Sequence, residues 1–166
     1  KNNEGYKNLM RLVSISHLEG FYYKPRVDME LLEKYHEGLI CTTACLNGYI
    51  SDPLMHDQEK EAIDRLKKLQ SIFGEDLYLE IQKHVNLPEQ DELNPKLIEL
   101  SKRFGVPLVA TNDNHYINRD DAEAQEILLC IGTQTTIETP DRKLSMISSP
   151  GFYIKSPEEM EQLLKG

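Results

Sequence analysis

The chain has 166 residues, 39% hydrophobic and 28% charged, and a net charge of −9, which suits one globular domain with a buried core and argues against a surface that grips a nucleic-acid backbone unaided. No apolar run approaches the roughly 18 residues that span a bilayer, and the start, Lys1-Asn2-Asn3-Glu4-Gly5, has no signal-peptide core. Cys41, Cys45 and Cys130 show no disulfide-like spacing and fit a reducing, cytoplasmic setting.

In chain order, Tyr6 to about Glu19 reads as a helix, with Leu9, Leu12, Val13 and Ser16 at helical spacing and Gly20 as its stop. The loop Phe21 to Arg26 is aromatic and basic. Asp28 caps a short helix through Tyr35, and Gly38 ends it. Leu39 to Ala44 reads as a buried strand, followed by a turn at Cys45-Leu46-Asn47-Gly48. Gln58 to Phe73 is a helix with Ala62, Ile63, Leu66, Leu69 and Phe73 on one face and Gly74 at its end. Leu77 to Gln82 is the second strand. After a polar loop containing Pro88, Asn94-Pro95 is expected to cap and open a helix with Leu97, Ile98, Leu100 and Phe104 on its apolar side. Pro107 to Thr111 is the third strand. Asp120 and Glu123 have capping-box spacing and start a helix to about Ile131. The chain is then irregular to about Gly151, and Ser156-Pro157-Glu158-Glu159 opens a last helix with a second capping box.

Short strands separated by helices of ten or more residues predict an α/β fold with a parallel sheet and outer helices. Three such units are too few to close a (β/α) barrel. Together with the absence of an initial Met, this predicts a piece of a longer protein.

The sharpest chemical pattern is Thr111-Asn112-Asp113-Asn114-His115-Tyr116, just past the third strand. In an extended chain Asp113 and His115 point one way, and Asn112 and Asn114 the other. The D-x-H pair is half of a divalent-metal site or, equally, a surface loop with a capping Asp and a solvated His. Cys45 also follows the C-terminal end of a strand, and parallel strands bring such ends to one rim. A thiolate, a carboxylate and an imidazole there suit zinc or a similar ion; the alternative for Cys45 is a small buried hydrophobe. His84, just past the second strand, is either a group behind the metal ligands or a solvated loop histidine. Tyr22, Tyr23, Lys24 and Arg26 mix rings and positive charge, which suits an interdomain contact or DNA.

Gly5-Tyr6-Lys7-Asn8-Leu9, Glu19 to Arg26, Cys45 to Gly48, Leu87-Pro88-Glu89-Gln90, Ala110 to Tyr116 and Phe152 to Met160 follow one another in an order that resembles the PHP (polymerase-and-histidinol-phosphatase) domain of bacterial DNA polymerase III alpha subunits. The similarity covers essentially the whole chain. It implies a distorted (β/α)7 TIM-like barrel lacking its N-terminal strands here, with residues 1–150 as the partial PHP domain and 151–166 as the start of the connection to the next polymerase domain. It implies that Cys45, Asp113 and His115 match family metal ligands, with further ligands earlier in the family and none of those in this chain; Tyr49 stands where many relatives carry an acid. It implies a divalent metal (zinc, manganese or similar) for a 3′–5′ exonuclease-type phosphoesterase site, and Mg for a polymerase site outside this chain. The implied partners are DNA, dNTPs, an epsilon-type exonuclease subunit and a sliding clamp. Two alternatives remain: a non-catalytic scaffold that docks the exonuclease, and a stand-alone PHP phosphatase. The isolated piece is expected to be inactive, and either to self-associate through an open sheet edge or to be only part of a larger chain.

Overall fold

Helix α1 (Asn3–Leu18) starts where Asn2 is extended and its Oδ1 accepts the Gly5 N–H at 2.9 Å. The expected apolar stripe sinks only in part. Leu12 and Ser16 are buried, whereas Leu9 and Val13 are half exposed; all four line a groove of about 410 Å³ with Val27 and Ile40. Helix α2 (Met29–Tyr35) is capped as expected: the Asp28 carboxylate accepts the Leu31 N–H at 2.8 Å. The turn after it lies against α1 so closely that a Cβ on Gly5 would sit 2.0 Å from the Gly38 oxygen; Gly38 itself has φ +74°.

Strands β1 (Cys41–Thr42), β2 (Leu77–Ile81) and β3 (Leu108–Ala110) form a sheet in the order β1-β2-β3. Cys41 pairs with Leu77 and Thr42 with Tyr78 in parallel register. The Leu79 N–H donates to the Pro107 oxygen at 2.9 Å, and the Thr111 N–H to the Ile81 oxygen at 3.1 Å, the slanted pattern of parallel pairing. The α/β reading with parallel strands and surrounding helices therefore stands. The first strand is a correction. It is two residues long rather than a buried run from Leu39 to Ala44, and Ile40 is exposed. The ladder stops because Thr43 accepts the Glu80 N–H on its own Oγ1 at 2.9 Å, and Ala44 then turns away with φ +60°.

Between β1 and β2 lie α3 (Ser51–Met55), too short to show periodicity, and α4 (Glu59–Phe73), which buries Ala62, Leu66, Leu69, Ile72 and Phe73. Helix α5 (Pro88–Phe104) connects β2 to β3 and corrects a second expectation: Asn94-Pro95 lies inside it. Pro88 takes the first helical position, where a missing N–H costs nothing. Pro95 gives up the bond to the carbonyl one turn back. The Asn94 side chain does not cap; it donates to the Gln82 oxygen at 2.7 Å and accepts from Gln90 Nε2 at 2.9 Å.

Helix α6 (Ala122–Thr133) follows a 3-10 turn, Arg119–Asp121, whose box is made by Asn118 and Asp121 rather than by Asp120 and Glu123. The Asp121 carboxylate accepts the Asn118 N–H at 2.8 Å. Helix α7 (Pro157–Leu164) carries the expected box between Ser156 and Glu159. The computed structural model describes residues 1–142 and 144–165. The chain divides into two compact units, Lys1–Glu80 with Leu97–Val109, and Ile81–Lys96 with Ala110–Gly166.

Candidate metal centre

Cys45 belongs to the first unit. Its turn is closed by the Gly48 N–H donating to the Cys45 oxygen at 2.8 Å, and only glycine fits there: a Cβ on Gly48 would lie 2.1 Å from the Thr43 oxygen. The Cys45 side chain is half buried. Burial pushes the pKa of the Cys41 thiol, in β1, up to about 11, which makes it a poor nucleophile at neutral pH. Tyr22, Tyr23 and Arg26 stand outward on the same unit. The two tyrosine rings meet edge-on at 4.6 Å, and the Arg26 guanidinium lies 5.2 Å from the Tyr22 ring centre.

Asp113 and His115 belong to the second unit. The segment is not regularly extended, since Asp113 has φ +49°. Asn112 and Asn114 do meet, with Asn112 Nδ2 donating to Asn114 Oδ1 at 3.1 Å. His115 turns its Nδ1 back to the Asp113 carbonyl at 2.6 Å. A carbonyl can only accept, so Nδ1 carries the hydrogen, and Nε2 is the nitrogen left to present a lone pair. This is the second bond by which proteins orient a ligating histidine.

Behind this pair lies a frame that the sequence pattern did not reveal. Asn112 is buried, and its Nδ2 donates to the Gly151 and Tyr153 oxygens at 2.8 and 2.7 Å, while its Oδ1 accepts from Lys155 Nζ at 3.0 Å. The His115 N–H donates to the Phe152 oxygen at 2.8 Å, so the segment after β3 is tied to residues 151–154. Phe152 carries both histidines: His84 stacks on its ring at 4.3 Å, and His115 meets it edge-on at 5.5 Å.

The solvated alternative for His84 is overturned, because the side chain is only 3% exposed. Burial lowers its pKa; the Asp113 charge pulls the other way, and Lys155 and His115 add to the lowering. Its Nε2 faces Gln82 Oε1 at 3.2 Å, and Gln82 Nε2 in turn donates to Thr111 Oγ1 at 3.2 Å. The ring is therefore the Nε2–H tautomer, and its Nδ1 has no partner among the described residues. The signals for Asn112 and Phe152 lay in family resemblance alone; neither has a periodicity that marks it.

Among the described residues, no group of three or more His, Cys, Asp or Glu side chains is gathered to hold a metal ion. No helix among them is long and apolar enough to cross a membrane.

A family model described as the PHP domain matches residues 1–84. The chain is 48% identical over 163 residues to DNA polymerase III subunit alpha of Borreliella burgdorferi, covering 98% of this chain and 14% of that protein. It is 47% identical over 164 residues to the subunit of the same name from Treponema pallidum, with the same coverage. The Thermus aquaticus subunit is 43% identical over 164 residues, 99% of this chain and 13% of that protein. The chain thus spans about one seventh of the length of these relatives, matching them in order almost from end to end. It belongs to the PHP domain family.

Proposed function

We propose that the chain is a segment of a DNA polymerase III alpha subunit, a DNA-directed DNA polymerase of replication, and that its PHP region carries a metal-dependent phosphoesterase site of the 3′–5′ exonuclease type. The observation that carries this reading is the identity of 43–48% over 98–99% of the chain with proteins of that name. In this reading the three parallel strands are part of a distorted (β/α)7 barrel, residues 1–150 are its PHP portion, and 151–166 lead toward the next polymerase domain.

Cys45, Asp113 and His115 would hold a divalent ion such as zinc or manganese, and the donor chemistry fits. Cys45 is a half-buried thiol on the turn after β1, and His115 has its Nε2 lone pair free because Nδ1 is spent on the Asp113 carbonyl. Bound there, such an ion supplies an activated water and offsets charge on a phosphodiester. The chain's own contribution is to hold the ligands: Asn112 pins the backbone next to Asp113, and Phe152 fixes the ring of His115. His84 stacks on the same Phe152 ring. Polymerisation, with its own Mg, DNA and dNTPs, belongs to the rest of such a protein, as do contacts with an epsilon-type exonuclease subunit and a sliding clamp in the cytoplasm.

A scaffold role is the second reading. It is favoured by the outward Tyr22, Tyr23, Lys24 and Arg26 loop, in which Tyr23 is 82% exposed. Elemental analysis of the full-length chain separates the two. The catalytic reading expects bound metal that falls in both Asp113→Asn and His115→Ala; unchanged content in both variants removes the assigned site.

A further inference from the structure

The second unit carries a cleft that the metal reading does not use. It encloses about 420 Å³ and is lined by Arg119, Tyr153, Lys155 and Glu159, with Val85 and Leu163 as apolar walls. That volume lies within the range of about 300–1,000 Å³ typical of small-molecule sites. The cleft carries two cations in a strongly acidic chain, and they are differently held. Lys155 is anchored: its Nζ donates to Asn112 Oδ1 at 3.0 Å and to the Gly151 oxygen, and it lies 4.2 Å from the Tyr153 ring centre. An ammonium has three N–H bonds, so one is left over. Arg119 has no hydrogen-bond acceptor and no carboxylate within 4.0 Å among the described residues, so its whole fork of donors is unused.

The one carboxylate in the cleft does not fill this role. Glu159 Oε1 accepts from the Tyr153 hydroxyl at 2.7 Å, and Oε2 accepts the Ser156 N–H at 2.9 Å, so its hydrogen bonds serve the fold, and among the described residues it makes no ion pair within 4.0 Å of either cation although its charge reaches both. Burial lowers the pKa of Lys155; Glu159 raises it, and the Arg119 charge lowers it again. The two cations therefore repel, and an anion between them would relieve that repulsion. A planar guanidinium beside an ammonium is the arrangement that phosphate oxygens match, with two parallel bonds to the arginine.

We propose that this cleft binds the phosphate group of a phosphate monoester, with Arg119 and Lys155 as its donors. Its donors are the protein's own, so the site goes beyond the metal reading and requires no ion. Lys155 bonds to Asn112, the residue before Asp113, so a phosphate held here lies next to the segment that carries the D-x-H pair.

The test is protection of Arg119 from phenylglyoxal in the full-length chain, followed by peptide mass spectrometry with EDTA present throughout. Deoxythymidine monophosphate should slow modification of Arg119 saturably, and thymidine without a phosphate should not. Gln162→Glu adds a negative charge to an exposed cleft position without touching the fold's hydrogen bonds. It should raise the half-protecting concentration by about tenfold. Equal modification rates with and without the monophosphate, or equal protection by thymidine, overturn the proposal. So does protection unchanged in Gln162→Glu. Because EDTA removes metal from every arm, such a failure leaves the metal reading untouched, and a loss of metal content in the ligand variants leaves this one untouched.

Discussion

Where the first unit closes over Leu54, Leu66, Leu77, Leu79 and Leu97, the second closes over Glu126, Asn112, Gln90 and His84, with Leu93, Cys130 and Phe152 as its buried apolar residues. Apolar burial is non-directional and tolerates repacking. A polar interior is directional, and each member needs its partners. The proposed ligands divide along the same line. Cys45 sits on a turn braced by close backbone packing, and Asp113 and His115 sit on a hydrogen-bonded frame. The contrast teaches that the second unit is the one in which a single atom's change should spread furthest.

Glu126 offers the strongest way to break that contrast. Its carboxylate is 2% exposed and accepts from Arg142 Nη2, from Ser145 Oγ at 2.6 Å and from the Met146 N–H at 2.9 Å. It therefore ties α6 to the irregular segment after it. Glu126→Ala strands the Arg142 charge and should cost about 3–5 kcal/mol, with faster hydrogen exchange across residues 122–149 and little change in α4. The same group sets a pH limit. Burial pushes its pKa up, but the bonds from Ser145, Met146 and Arg142 outweigh burial and hold it below the ordinary 4.5. A lowered carboxyl pKa gives stability that is present above 4.5 and is lost as pH falls through the folded value. Glu126→Gln should therefore flatten the acid limb of the unfolding curve, whereas a core variant of the first unit keeps it. Leu66→Ala is that variant. It empties a site with no exposure and should cost about 2–5 kcal/mol at every pH. An acid limb unchanged by Glu126→Gln would mean that the polar interior is not held by this carboxylate.

The same contrast governs how much could be read from the chain. Helices α1, α2, α4 and α7 follow from periodicity and caps, because Asp28, Ser156 and the Ala62-Leu66-Leu69-Phe73 face act over one or two turns. Strands β2 and β3 follow from their apolar runs. The errors fall where a side chain does long-range work. Asn94 looked like a cap because Asn-Pro is a local signal, yet its partner is Gln82. Thr43 looked like strand, yet its hydroxyl replaces a ladder bond. For the site, the D-x-H pair was visible as residues, but the Asn112 frame, the buried His84 and the unspent donors of Arg119 depend on residues 36 or more positions apart, or on what a side chain fails to meet.

Asn112→Ala is the next test in size. It removes two donors from the Gly151 and Tyr153 carbonyls and one acceptor from Lys155, and the stranded buried groups should cost about 1–3 kcal/mol. Asn112→Asp is its sharper partner. It keeps the shape and the acceptor for Lys155 but replaces the donating amide with an oxygen facing two carbonyl oxygens. Chemical denaturation should find both variants weaker than the parent, with faster exchange at His115 and Tyr116. A parent-like Asn112→Asp would show that the Lys155 contact alone secures the segment before Asp113.

The smallest expected effect asks whether the two units differ at their helix ends as they do inside. Asp28 caps α2 in the first unit, and Ser156 caps α7 in the second, where Ser156 Oγ accepts the Glu159 N–H at 3.2 Å. A cap satisfies donors within its own first turn, so its contribution is local and indifferent to what the unit buries. Asp28→Ala and Ser156→Ala should therefore each cost about 1 kcal/mol, measured as the shift in urea midpoint at constant slope. If Ser156→Ala costs several times more than Asp28→Ala, the Ser156–Glu159–Tyr153 chain of hydrogen bonds extends the polar interior into α7.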